Sequence, residues 1–210
     1  MTSPRNVGTL PEDSLHWSHW WYLESARFLD IRKNIQGPLA QDGRTVVVTA
    51  PRAPSRGMVQ TRVVPRLIEI VNKERSDPMI AAALVSLGRI ADGPADLHEQ
   101  AVEAVKRHLD SSSLVIRESA IIALGLFGTE ACNRTLIELI QDSDEGQTMI
   151  GSTRVTLRTR AFAAHALGLA AVRSDSVQEQ QRIALCMLDV LEGDVASMVD
   201  LPVAAVSTLG

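Results

Sequence analysis

Between about residue 58 and residue 210 the chain alternates between two kinds of apolar segment. The first kind carries bulky residues three and four apart: Leu67 and Ile70 within Val63–Val71, Val102, Val105 and Leu109 within Ala101–Leu109, the run Leu136–Ile140, and Leu185, Leu188 and Leu191 within Ile183–Leu191. That spacing marks one face of an α-helix. The second kind is rich in small residues and closes on Leu-Gly, at Leu87-Gly88, Leu124-Gly125, Leu167-Gly168 and Leu209-Gly210, with spacings of 37, 43 and 42 residues. Four positions before each leucine stands an alanine (Ala83, Ala120, Ala163, Ala205), and just before it another small residue (Ser86, Ala123, Ala166, Thr208).

A glycine inside a helix costs about 1 kcal/mol relative to alanine. Four of them in one register, each with an alanine behind it, point to helices that approach closely at those sites. Between the two kinds of segment lie turns rich in Ser and Asp: Ser76-Asp77-Pro78, Asp110-Ser111-Ser112-Ser113, Asp142-Ser143-Asp144 and Gly193-Asp194. Such residues cap helix starts, and proline suits the first helical turn. The predicted unit is a helix A, a short turn and a helix B, about 40 residues in all. Four units follow, over 58–91, 96–127, 130–171 and 176–210.

The stretch LDSSSLVIRESAIIALGLFG, Leu109–Gly128, resembles a HEAT repeat, with an aspartate at the turn, Val-Ile-Arg opening helix B and an Ala-x-x-Ala-Leu-Gly run. LRTRAFAAHALGLAA, Leu157–Ala171, is similar to the same B helix; MIAAALVSLGRIA, Met79–Ala91, and LPVAAVSTLG, Leu201–Gly210, match less fully, with Ile80 and Pro202 where Arg117 and Arg160 stand. The resemblance implies an all-α, right-handed HEAT-like α-solenoid of about four helical hairpins behind an aromatic N-terminal helix. It also implies B helices lining a concave groove, and an arginine that pairs with the turn aspartate, here Arg117 with Asp110 and Arg160 with Asp142. Fold of this kind says little about function. The expected role is a protein–protein interaction or scaffolding module.

Residues 1–57 form a separate region. His16–Gln36 holds five of the seven aromatic residues, among them Trp17, Trp20, Trp21 and Phe28, which share much of one helical face. A stack of repeats needs a cap over its first open edge, and a bulky aromatic helix suits that task; an aromatic anchor for a partner is the other reading. Residues 37–57 break the pattern with glycines, prolines and the β-prone Thr45–Thr49, and carry Arg44, Arg52 and Arg56. They read as a strand or hairpin within a connector, or as a contact loop. The third unit has a longer connection: 25 residues from Asp142 to Leu167, against 14 from Asp110 to Leu124. Its surplus, within 143–155, reads as a disordered loop or a binding edge. The fourth unit stops at Gly210, inside helix B. The expectation is a truncated repeat whose open end something else covers, a homo-oligomer being one way.

Net charge of −4 and a pI near 5.7 argue against a phosphate-tracking nucleic-acid binder, which needs a basic excess. Cys132 and Cys186 are too far apart for a disulfide framework or a zinc motif and read as small buried residues. The start MTSPRNVGTLPEDS is no secretory signal, and the longest apolar stretch, Ala161–Val172, is interrupted by His165 and is too short to span a membrane. The default location is cytoplasmic, unless a leader precedes Met1.

Chemistry is sparse. His16 and His19 share a helical side but lack further ligands, so no metal is expected. His98-Glu99 is one pair where the HEAT-like deoxyhypusine hydroxylases use several, and His165 among alanines reads as a packed histidine. No nucleophile elbow, phosphate loop or zinc-hydrolase helix is present, so no catalytic residue and no cofactor is expected. Arg117 and Arg160 stand at equivalent B-helix positions, with Arg158 and Arg154 nearby. With Trp17, Trp20 and Trp21, these arginines are the candidate partner-contact residues. Two rivals are carried: a nucleic-acid reader resembling the alkylpurine glycosylases, against which Glu118 and Asp200 count, and a HEAT-like enzyme of the bilin lyase or hydroxylase type.

Overall fold

A computed structural model describes residues 55–90, 94–193 and 199–209 of the chain. Trp17, Trp20, Trp21, His16, His19 and most of the 37–57 segment lie outside the described residues. Those that are described fall within one compact unit, 53–210. They are helical, with no strand among them.

Among the described residues, nine α-helices of six residues or more follow in order: α1 Val64–Lys73, α2 Asp77–Ile90, α3 Ala95–Lys106, α4 Leu114–Phe127, α5 Glu130–Gln141, α6 Asp144–Met149, α7 Leu157–Arg173, α8 Val177–Glu192 and α9 Asp200–Leu209. A helical lead-in, Arg56–Met58 and a π turn Val59–Val63, runs into α1. Helix therefore begins at Arg56, within the segment expected to be irregular. Ser55 caps it, its Oγ accepting the Met58 N–H at 3.2 Å. Pro65, which has no N–H to donate, stands just where the π turn gives way to α1.

The caps follow the turn chemistry. Thr129, Ser143, Thr156 and Ser176 each accept a backbone N–H of the first helical turn, starting α5, α6, α7 and α8. Gly128, at φ +62°, ends α4 in the left-handed conformation, its N–H returning to the Leu124 carbonyl. Connections of three residues, 74–76 and 174–176, force α1 to fold back on α2 and α7 on α8.

The helices with small residues form a continuous row: α2 packs on α4, α4 on α7 and α7 on α9. Ala83, Ala120, Ala163 and Ala205 are all buried within helices. The glycines explain the closeness. A methyl group on Gly88 would lie 2.8 Å from the Ala123 carbonyl oxygen, and one on Gly125 only 2.2 Å from that of Ala166. On Gly168 it would meet Thr208 Oγ1 at 2.9 Å. Each glycine thus faces the small residue that precedes the leucine of the next helix in the row. Any side chain there would push the two backbones apart. Thr208 adds a hydrogen bond, its hydroxyl donating to the Ala164 carbonyl at 2.9 Å.

The helices with bulky residues, α1, α3, α5 and α8, lie behind that row. Leu84, Leu87, Val105, Leu109, Ile121, Leu124, Leu136, Leu139, Ile140, Leu167, Ile183 and Met187 fill the core between the two layers. Fully burying a side chain of this size contributes roughly 1.5–3 kcal/mol, so this layer is what holds each pair together.

Several expectations need correction. Helix α3 starts at Ala95, six residues before the apolar run at Ala101, because its first turns are polar and carry no period. In α8 the core face is Ile183, Cys186 and Met187; Leu185 and Leu188 are exposed. The 143–155 segment is not a disordered loop. It folds into α6 and a turn that packs on α5, and it buries Ile150 and Val155. Asp142, at φ +55°, reverses the chain there. Its Oδ1 accepts the Val155 N–H at 2.6 Å and the Gln147 side-chain amide at 3.2 Å, closing the loop over 13 residues.

Candidate binding surface

The four candidate arginines have different partners. Arg117 donates from Nε and Nη2 to the Ser111 carbonyl, at 3.1 and 2.7 Å. Arg160 donates from Nε to the Ile140 carbonyl at 2.6 Å. These are backbone acceptors at the end of the preceding helix and its turn. The expected pairing with Asp110 and Asp142 is therefore replaced. The carbonyls of a helix's last turn have no partner within the helix, and a half-buried guanidinium reaching them meets that need with a charge-assisted bond. The Asp142 carboxylate is already occupied by Val155 and Gln147, and only the exposed Arg154 approaches it, at 3.8 Å.

Arg158 crosses from α7 to α4. Its guanidinium pairs with Glu118, through Nε to Oε1 and through Nη2 to Oε2 at 3.1 Å, and lies 5.5 Å from the Phe162 ring centroid. The hydrogen bond and charge of Glu118 hold Arg158 protonated more firmly than an isolated arginine. The pair ties neighbouring helices of the row, and Glu118 neutralises the charge offered to an outside ligand.

With the arginines so engaged, the outward side of the row is mostly uncharged. On α7 it carries Arg158, Phe162, His165, Leu169 and Val172, at the three- and four-residue spacing of one helical face. Leu169 and Val172 are exposed and Phe162 is half-buried. His165 is exposed too, correcting its reading as a packed histidine; the alanines around it face inward and leave it the outer side. In the same register, α4 offers the half-buried Ser119, Ile122 and Leu126, and α2 offers Ala82, Val85 and Arg89. The stripe is not among the candidate residues of the sequence. The signal was present in the spacing of Phe162, His165, Leu169 and Val172.

The bulky-residue layer is looser. An open groove of about 430 Å³ separates α5 from α8, lined by Arg134, Ile137, Arg182, Leu185 and Cys186 among others. A second, of about 500 Å³, lies between α1 and α3 and is lined by Ile68, Asp96, Glu99, Glu103 and Arg107 among others. A salt-bridge chain spans α5 and α8: Arg182 reaches Glu130 at 3.4 Å and Glu179 at 3.1 Å, and Asn133 donates to Glu179 at 3.2 Å. These grooves are shallow and mixed in charge.

Other candidate groups have structural surroundings. His98 packs edge-on against Phe127, with ring centroids 5.2 Å apart. Cys132 and Cys186 are buried, free thiols; burial raises both pKa values, that of Cys186 to about 11. Among the described residues no group of three or more His, Cys, Asp or Glu could hold a metal ion, and no helix is long and apolar enough to cross a membrane.

No family model, curated protein or solved structure matches the chain.

Proposed function

We propose that this chain is a HEAT-like α-solenoid segment that binds another protein along the outer side of the α2–α4–α7 row. The observation that carries the reading is the contrast between the two layers. Glycines and alanines crowd one layer, while open grooves separate helices of the other. A stack crowded on one side bends toward it, so the row becomes the inner, concave surface. Contacts there spread over several hairpins, as repeat proteins use their inner faces.

The chemistry of that surface favours a protein partner over nucleic acid. Arg117, Arg160 and Arg158 are committed to backbone carbonyls and to Glu118, so among the described residues the row lacks the run of free cations that phosphate binding requires. What it offers is an apolar strip through Ile122, Leu126, Phe162 and Leu169, edged by Arg89 and His165. Buried apolar anchors with a polar rim suit protein recognition.

Leu169→Asp is the test. Leu169 is already exposed, so the unfolding free energy should stay within about 0.5 kcal/mol of the parent. Partners captured from a native lysate by the parent should be lost by the variant. Capture that survives Leu169→Asp, or duplex DNA binding at micromolar affinity in physiological salt, would refute the assignment.

A further inference from the structure

Leu185 is 61% exposed although it stands in the middle of α8. It lines the groove between α5 and α8, together with the half-buried Ile137. The two helices run in the same direction. Arg160, in the first turn of α7, bonds to the carbonyl of Ile140 near the end of α5, so α5 and α7 are antiparallel. The three-residue connection 174–176 then reverses the chain again into α8.

That parallel order sorts the charges of the groove. Arg134 and Arg182 each precede the central aliphatic residue, Ile137 or Leu185, by three positions and stand at one end. Glu138 and Asp189 follow it, by one and four positions, toward the other end. Neither end is saturated. Arg134 donates to Glu130 from Nη2 at 3.5 Å, and Arg182 from Nη1 at 3.4 Å, the same nitrogen lying 3.1 Å from Glu179. The other nitrogens of both guanidiniums make no hydrogen bond among the described residues. Glu138 accepts the neutral Ser143 hydroxyl, and no cation pairs with Glu138 or Asp189 among the described residues.

Cations, then aliphatic residues, then anions is an order that complements itself when a copy is turned end for end. A second groove laid antiparallel on the first brings its Arg134 and Arg182 to Glu138 and Asp189, twice over. Leu185 is then covered near the axis. A wholly basic or wholly acidic partner would satisfy one end and be repelled at the other.

We propose that the α5–α8 groove binds a second copy of this chain, in an antiparallel two-fold contact centred on Ile137 and Leu185. The groove belongs to the bulky-residue layer, and the contact is independent of the partner-binding role of the row.

Sedimentation velocity over a range of concentrations tests this. The chain should dimerise with a Kd of about 10–100 μM, as suits a small interface, and more weakly in high salt. Asp189→Arg and Arg182→Asp, both at exposed positions, each set like charges face to face. Each alone should weaken association about tenfold or more. An equimolar mixture of the two variants should associate again, because every crossed pair is then opposite in sign. Leu185→Asp should abolish the dimer and leave the helix content unchanged, since the residue is already exposed. A chain that stays monomeric, a dimer indifferent to Leu185→Asp, or charge variants that fail to associate when mixed overturns the proposal. So does a dimer lost on Leu169→Asp instead, which would move the contact to the row.

Discussion

Arg160 and Arg158 stand two residues apart on α7 and have opposite surroundings. Arg160 is half-buried and satisfies a backbone carbonyl of α5; Arg158 is largely exposed and pairs with Glu118. Arg160→Ala should therefore cost about 1–3 kcal/mol, because a part-buried carbonyl loses its charged donor. Arg158→Ala should cost less than Arg160→Ala, as solvent screens its pair. Urea denaturation of the two variants checks the order. Asp142 combines a left-handed backbone with a loop-closing carboxylate. Asp142→Ala should cost about 2–3 kcal/mol, from the strained φ and the lost hydrogen bonds together. Hydrogen exchange at the Val155 amide should accelerate while the amides of α4 stay protected.

Cys186 gives the residue scale a pH signature. Its folded pKa is raised by burial to about 11, with Asp189 pushing the same way. The unfolded thiol ionises near its ordinary value, so between that value and about 11 the unfolded state binds fewer protons than the folded one. The contribution to stability is intact below pH 9 and is lost as pH rises toward 11. Cys186→Ala should flatten the fall of the urea midpoint between pH 8.5 and 10.5; an unchanged slope would show that the thiol is not shielded.

At the scale of the elements, the alternation of bulky and small apolar segments located the helices of both layers, because helical period and packing size both register in sequence. The boundaries were less visible. Polar first turns hid the start of α3 at Ala95, and Gly57 and Pro65 disguised the lead-in to α1. Helix α6 was hidden by its length, since six residues with one glycine carry no period. The face of α8 differs from the one its leucines predict: Ile183, Cys186 and Met187 meet the core while Leu185 and Leu188 face outward, because several faces of this helix carry apolar residues and spacing alone does not choose among them. Side-chain partners were least legible. Arg117 bonds to Ser111 and not to Asp110, a choice set by which acceptor is left unpaired once the turn has formed. The apolar strip on α7 could have been found from spacing alone; its exposure could not.

At the largest scale, a row of closely packed helices backed by a looser layer accounts for the packing of the described residues. The glycines set the separation within the row, Arg117, Arg160 and Asp142 fasten the connections before α4 and α7, and Phe162, His165, Leu169 and Val172 are left on the outer side. The unfolding free energy of Gly125→Ala tests this most directly. Alanine is the better helix former by about 1 kcal/mol, so a glycine held only by chance would give a stabilised variant, as expected at Gly57, where nothing lies within 4 Å. The seam predicts the reverse at Gly125. The new methyl meets the Ala166 backbone at 2.2 Å, and the variant should lose about 2–3 kcal/mol by forcing two helices apart. A Gly125→Ala protein as stable as the parent, or more so, would contradict the close-packed row on which the account stands.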